Sequence, residues 1–298
     1  MNVPNRIVDA HHHLWDLSHC TYPWLMEKGV KRFFGDPAPI QKNYLVDDFR
    51  ADFGNLPIEK SVHIQVGVTS DDSVKETAWL QAQGDADGLP SAIVAFADLT
   101  APDLTSQLDA QSRYERLRGI RQIVGRSAEE DRKTGTQGLL SSSEFISGLQ
   151  TLADRGLSFD LQLTPPLMNA AADVFEQVPD LRVALCHAGS PSDFSHEALS
   201  EWRSGLERLA SLPNLICKVS GFGMFQPDWT TASIRPLVIS AIEVFGPDRI
   251  AFGSNFPVDK LASEYVRVMG AYLEITADFT PTERTAMFAG VAERFYRL

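Results

Sequence analysis

Cysteine is scarce in this 298-residue chain, which holds only Cys20, Cys186 and Cys217. Three is an odd number and supplies no disulfide framework. Cys186 and Cys217 lie inside apolar runs, so buried free thiols in a reducing compartment are expected. Basic residues are in deficit: 27 Lys and Arg stand against 39 Asp and Glu, a net charge of −12. That balance argues against nucleic acid and anionic membranes as main partners. No apolar run approaches the length of a membrane span. The N-terminal residues lack the basic, apolar and small-residue succession of an export signal, so a cytoplasmic location is expected. A small-molecule substrate is the partner left by these exclusions, and the sequence leaves homo-oligomerisation open.

What the chain does have is 44% hydrophobic residues, enough for a large core. Eight apolar runs have strand length: Ile7–Leu14, Ser61–Val66, Ala92–Leu99, Leu117–Val124, Ser158–Leu163, Val183–Ala188, Leu215–Gly221 and Ile250–Phe256. Between most of them the apolar spacing becomes helical, as in Ser73–Gln83, Ser143–Arg155, Leu167–Val178, Glu197–Leu212 and Ile234–Phe245. Strand then helix, repeated eight times, predicts an α/β fold of the (β/α)8 barrel type. Turn residues announce several strands, including Pro213-Asn214 and Gly246-Pro247-Asp248. No linker or change of composition divides residues 1–298, so one domain is expected.

The segment Asp9-Ala10-His11-His12-His13-Leu14-Trp15-Asp16 carries the strongest chemical signal. On a strand, His11 and His13 share one face and His12 takes the other. Two imidazoles on one face can bind a divalent metal or exchange protons. Other strands show the same division. Val62, Ile64 and Val66 oppose His63 and Gln65. Phe159, Leu161 and Leu163 oppose Asp160 and Gln162. Arg121 opposes Ile120 and Gln122, and Lys218 shares a face with Ser220. Apolar faces should meet the helices and polar faces should line the barrel. Strand ends then gather His11, His13, Arg121, His187, Lys218 and Asn255 at the C-terminal mouth, where barrel enzymes keep their sites. Asp98 either joins them or caps the following helix. His63 reads as a core histidine, and His19 and His196 as solvated loop residues.

The motifs now assembled resemble the amidohydrolase superfamily, in its amidohydrolase-2 branch of sugar-lactonase-like and L-fuconolactonase-like proteins. They are Asp9 through Trp15, Tyr22-Pro23-Trp24-Leu25, Gly119-Ile120-Arg121-Gln122 and His187-Ala188-Gly189-Ser190-Pro191. Cys217-Lys218-Val219-Ser220-Gly221, Phe245 through Arg249 and Phe252 through Pro257 complete the set. The resemblance spans nearly the whole chain. It implies a hydrolase that opens a lactone by water attack, with His11, His13 and His187 as ligands of a divalent metal such as zinc.

One position departs from that pattern. Relatives end the eighth strand with Gly-Ser-Asp-Trp-Pro, where the aspartate is the general base and often a metal ligand. This chain has Gly253-Ser254-Asn255-Phe256-Pro257. A carboxamide has no titratable form to accept the proton and is a weaker zinc ligand. Asp259, four residues on, is the nearest carboxylate. Two schemes remain. A zinc on the histidines supplies an activated water, or, without metal, a histidine is the base while Arg121 and Lys218 face the oxyanion or a substrate carboxylate. His187, Asn255, Arg121 and Lys218 are the expected catalytic residues. Tyr22, Trp24, Phe33 and Phe34, in the long segment from Leu17 to Tyr44, are expected to cover the pocket together with Gly221–Trp229. Two other functions stay open: a decarboxylase of a small unsaturated or aromatic acid, and a binding protein that has lost catalysis.

Overall fold

The computed structural model of the chain describes residues 3–126, 128–134 and 136–298. Its sheet consists of β1 (Ile7–His12), β2 (Ile58–Ile64), β3 (Ala92–Ala95), β4 (Leu117–Ile120), β5 (Ser158–Leu161), β6 (Val183–Leu185), β7 (Leu215–Val219) and β8 (Ile250–Phe252). The eight strands follow one another in sequence order and all neighbours are parallel. Backbone bonds just past the strand ends join β8 to β1. The Asn255 N–H donates to the His11 carbonyl and the His13 N–H to the Phe256 carbonyl, both at 2.7 Å. The barrel therefore closes at the residues singled out for chemistry.

All eight expected runs overlap a strand, although β2 begins at Ile58, ahead of its run, and each strand stops short of the C-terminal end of its run. The run 92–99, for example, holds a strand only over Ala92–Ala95. Beyond that point the chain leaves the ladder to form the mouth. The helices Ser73–Asp87, Ser143–Asp154, Met168–Phe175, His196–Ala210 and Thr231–Phe245 stand where helical spacing placed them. Ser142, Ser195 and Thr230 cap three of these with side-chain oxygens. No helix among the described residues is long and apolar enough to cross a membrane.

The core has two layers. Phe159, Leu161, Val183, Leu185 and Phe252 belong to the larger one, which packs the sheet against the helices. Inside the barrel, small apolar residues such as Ala92, Val94, Ala184 and Ala251 meet Phe295 and Tyr296 of the C-terminal helix Val291–Tyr296. That helix closes the N-terminal end of the barrel. Glu293 pairs there with Arg6 at 2.9 Å, and the Tyr296 hydroxyl reaches inward to donate to Asp160 at 2.8 Å.

β2 corrects one expectation. Val62 and Ile64 belong to the interior layer. His63 is instead on the outer side with His12, whose ring stacks on Phe49 of the helix Val46–Phe53 at 4.2 Å. Small and branched apolar side chains line much of the lower barrel, with Asp160, Lys218 and Tyr296 as a buried polar group among them. His63 is a core histidine, as expected: its Nε2 meets the Leu14 carbonyl at 3.1 Å, while its buried Nδ1 has no partner. All three cysteines are buried and free.

Candidate active site

A break in register aims the first two histidines. β1 pairs Asp9 with Ser61 but His12 with His63, so β1 carries one extra residue between those pairs. A bulge of this kind inverts the alternation beyond it. Plain alternation would leave His11 and His13 on the face of Asp9, which is turned to the helices. With the bulge they enter the barrel and His12 goes outward. Asp9 holds the bend. Its Oδ1 accepts from the backbone N–H of His11 at 3.1 Å and of Ser254 at 2.9 Å, and its Oδ2 accepts from the Tyr265 hydroxyl at 2.9 Å. Burial raises the Asp9 carboxyl to about 6 against the pull of these bonds.

His187 arrives by a different device. After β6 the chain turns through His187 (φ 54°) and Ala188 (φ 47°), a left-handed conformation that L-residues rarely adopt. The imidazole Nδ1 lies 2.9 Å from the Ser220 hydroxyl. Gly221 leaves room for it, since a Cβ there would meet His187 Nδ1 at 2.5 Å. The His11 ring is then 5.1 Å from that of His13 and 4.5 Å from that of His187. Burial pushes all three imidazoles well below their ordinary value. Lys218, His187, His13 and Arg121 add to this at His11, and Arg121 does so at His13 and His187. Each is therefore neutral at pH 7.

His13, His187, Arg121, Gln162 and Asn255 line a cavity of about 230 Å³. Trp24, Arg32, Phe33, Phe34, Arg126 and Met224 complete its walls. The long loops thus cover the pocket with Trp24, Phe33 and Phe34, while Tyr22 is buried away from it. The guanidinium of Arg121 is held rigidly: Nη1 donates to Gln162 at 2.9 Å and Nη2 to the Gln65 carbonyl, and its buried Nε has no partner. Arg32 forks onto Glu130 at 3.0 and 3.1 Å. Burial, and then Arg32 beside it, lower Arg126 to about 10. Sequence reasoning missed both Arg32 and Arg126. A cation in a loop carries no periodic signal, and only the closed mouth brings these two together.

Asn255 is at the centre of the site. It is left-handed (φ 58°), its Oδ1 is 3.2 Å from His13 Nε2, and its Nδ2 donates to Asp259 at 3.0 Å. Lys218 does not face the cavity. Its ammonium is fully buried and paired with Asp160, with the Ala10 carbonyl at 3.5 Å. A direct contact from Lys218 to oxyanion or carboxylate is therefore replaced by a charge beneath His11 and His187. Asp98 neither joins the site nor caps a helix: it accepts from the N–H and hydroxyl of Thr100 and from Gln122. His196 opens the helix His196–Ala210 on the surface, and His19 is half-buried near Trp79.

The donor set does not suit a zinc ion. Among the described residues, no three His, Cys, Asp or Glu side chains stand where they could hold a metal. His13 Nδ1 is taken by the Ile64 carbonyl at 2.7 Å, and the oxygen 3.2 Å from its Nε2 is the carboxamide oxygen of Asn255, a weaker zinc ligand than a carboxylate. The two ring nitrogens of His11 are buried without partners, but the charged side chains that bear on that ring are the cations Lys218 and Arg121. A divalent cation there would meet a positive field and no anionic ligand. The residues do not fit the zinc centre that the sequence resemblance implies.

Comparison with known proteins places this geometry among relatives. The sequence profile of the family described as "Amidohydrolase" matches residues 8–298. An uncharacterized protein of Sinorhizobium fredii is 41% identical over 294 residues, covering 98% of both chains. An L-fucono-1,5-lactonase of Burkholderia multivorans is 28% identical over 98% of this chain and 96% of its own length. A crystal structure of an amidohydrolase from Burkholderia multivorans with bound zinc superposes with a TM-score of 0.83. It is 26% identical and is covered over 98% of this chain and 99% of that one.

Proposed function

The chain belongs to the amidohydrolase family, and we propose that it is a lactonase whose protein side chains alone carry the hydrolysis. One observation carries this reading. A neutral imidazole of fixed tautomer, His13, shares a small cavity with a permanently charged guanidinium, Arg121. The Ile64 carbonyl can only accept, so His13 Nδ1 keeps its proton and the Nε2 lone pair faces the mouth. The relative named an L-fucono-1,5-lactonase supports the substrate class.

The reaction needs an activated water, a site for the oxyanion and a proton for the ring oxygen. His13 Nε2 takes a proton from water as its oxygen bonds to the lactone carbonyl carbon. The carbonyl oxygen becomes an oxyanion and accepts from the free Nε–H of Arg121. Collapse of the tetrahedral intermediate breaks the ring C–O bond, and the proton on His13 passes to the departing alkoxide. The product is an open hydroxy acid. Burial and Arg121 disfavour a resting imidazolium at His13, so the base starts neutral. Trp24, Phe33 and Phe34 offer apolar faces to a sugar ring.

A panel of aldonolactones, followed by proton release with a pH indicator, tests the proposal. The wild-type protein should open at least one lactone, and His13→Gln should lower kcat by roughly 10²- to 10⁴-fold, the range for a general base. A wild-type rate no greater than the uncatalysed one on every lactone would refute the reading.

A further inference from the structure

Asn255 carries no titratable group, yet a carboxylate lies one hydrogen bond behind it. Asp259 is buried and accepts from Asn255 Nδ2 at 3.0 Å, while Asn255 Oδ1 is 3.2 Å from His13 Nε2. The 3₁₀ turn Val258–Leu261 holds the pair, since the Asp259 N–H donates to the Asn255 carbonyl at 3.1 Å. Gly223 packs so close that a Cβ there would lie 3.3 Å from the Asp259 carboxyl carbon. The left-handed backbone of Asn255 aims its side chain between these two neighbours.

An amide can turn over about its Cβ–Cγ bond, exchanging oxygen for NH₂. The two settings act differently on His13, whose Nδ1 proton is fixed by the Ile64 carbonyl. With NH₂ toward His13, an N–H occupies the Nε2 lone pair and competes with the water proton. With oxygen toward His13, that lone pair has no donor on it. Once Nε2 has taken a proton, the amide oxygen accepts from it.

We propose that Asp259 is the positioning residue of this site. Its carboxylate captures the Asn255 NH₂ and so keeps the amide oxygen turned to His13. The proposal rests on the lactonase reading for its kinetic consequence, but the amide setting is a property of the protein at rest. An ionised carboxylate enforces it, because it accepts and cannot donate. A protonated Asp259 offers an O–H to the amide oxygen and so favours the opposite setting. Burial raises the Asp259 carboxyl to about 7, against the pull of the Asn255 and Gly223 bonds. Tyr272 is the titratable neighbour from the helix Tyr265–Ile275, and the adjacent Lys260 is turned away to Asp52.

Two variants and two readouts test this. Asp259→Leu removes the acceptor at similar size, and Asp259→Asn keeps an acceptor but removes the ionisation. In Asp259→Leu, kcat should fall about tenfold at unchanged KM, the effect of one lost orienting hydrogen bond. In the wild type, kcat/KM should rise with pH through about 7, and Asp259→Asn should lack that rise. The second readout is ¹⁵N NMR of the histidine side chains at rest, which needs no substrate. His13 Nε2 should show no coupling to the Asn255 side-chain nitrogen in the wild type and a coupling across an N–H···N bond in Asp259→Leu. Should Asp259→Leu not fold, Asp259→Asn decides by its pH profile and by the same NMR comparison. An unaltered pH profile in Asp259→Asn, or a wild-type coupling between His13 Nε2 and the Asn255 side-chain nitrogen at pH 8, would overturn the proposal. If the wild type opens no lactone but the NMR change occurs, the positioning survives and the lactonase reading fails.

Discussion

Single residues set the chemistry here by what they leave room for. Gly221 adopts φ 73° and lies under the His187 ring, where a Cβ would come within 2.5 Å of Nδ1. Gly253 does the same for His11, with a Cβ 2.6 Å from the His11 Cβ. Gly221→Ala should therefore displace His187 and strain a left-handed backbone, at a cost of about 1–3 kcal/mol. Lower kcat and a lower Tm are expected together, and thermal melting with lactone kinetics checks this. A variant with unchanged melting and turnover would show that the imidazole is not confined by this contact. Arg121 works by rigidity: Nη1 and Nη2 are tied to Gln162 and the Gln65 carbonyl, and Nε is a nitrogen left without a partner. A lysine could not reproduce that fork.

At the scale of elements, the bulge in β1 is the decisive feature. It turns a strand whose early residues obey one alternation into one that sends His11 and His13 inward. Asp9 ties the bulge to Ser254 and Tyr265. Asp9→Ala leaves the His11 and Ser254 N–H groups and the Tyr265 hydroxyl without their acceptor. A loss on the order of 3 kcal/mol is expected, with turnover falling further than stability accounts for. Chemical denaturation and kinetics at a temperature where the variant stays folded would separate the two effects. The strands and main helices were legible because burial imposes periods of two and 3.6 on the sequence. The grouping of His11, His13 and His187 was legible because strand ends in a parallel barrel share one mouth. The facing of β2 was not, because a register shift erases the parity that alternation depends on. Nor was the burial of Lys218, since its partner Asp160 comes from a strand 58 residues away. Asp259 was visible as a nearby carboxylate, but its bond to Asn255 depends on a turn that spacing does not specify.

The whole molecule carries a net charge of −12, yet its cavity is walled by Arg32, Arg121 and Arg126. Such a mouth suits an oxygen-rich substrate and the oxyanion formed from it. The same positive field surrounds the histidines and opposes a divalent cation among them. On the reading proposed above, this barrel opens a lactone with its own imidazole and guanidinium and without a bound metal. The most direct test is turnover of the best lactone after exhaustive chelation, with metal content measured on the same sample. The expected result is an undiminished rate in protein holding far less than one metal per chain. Activity that disappears on chelation and returns in proportion to added zinc would contradict the account.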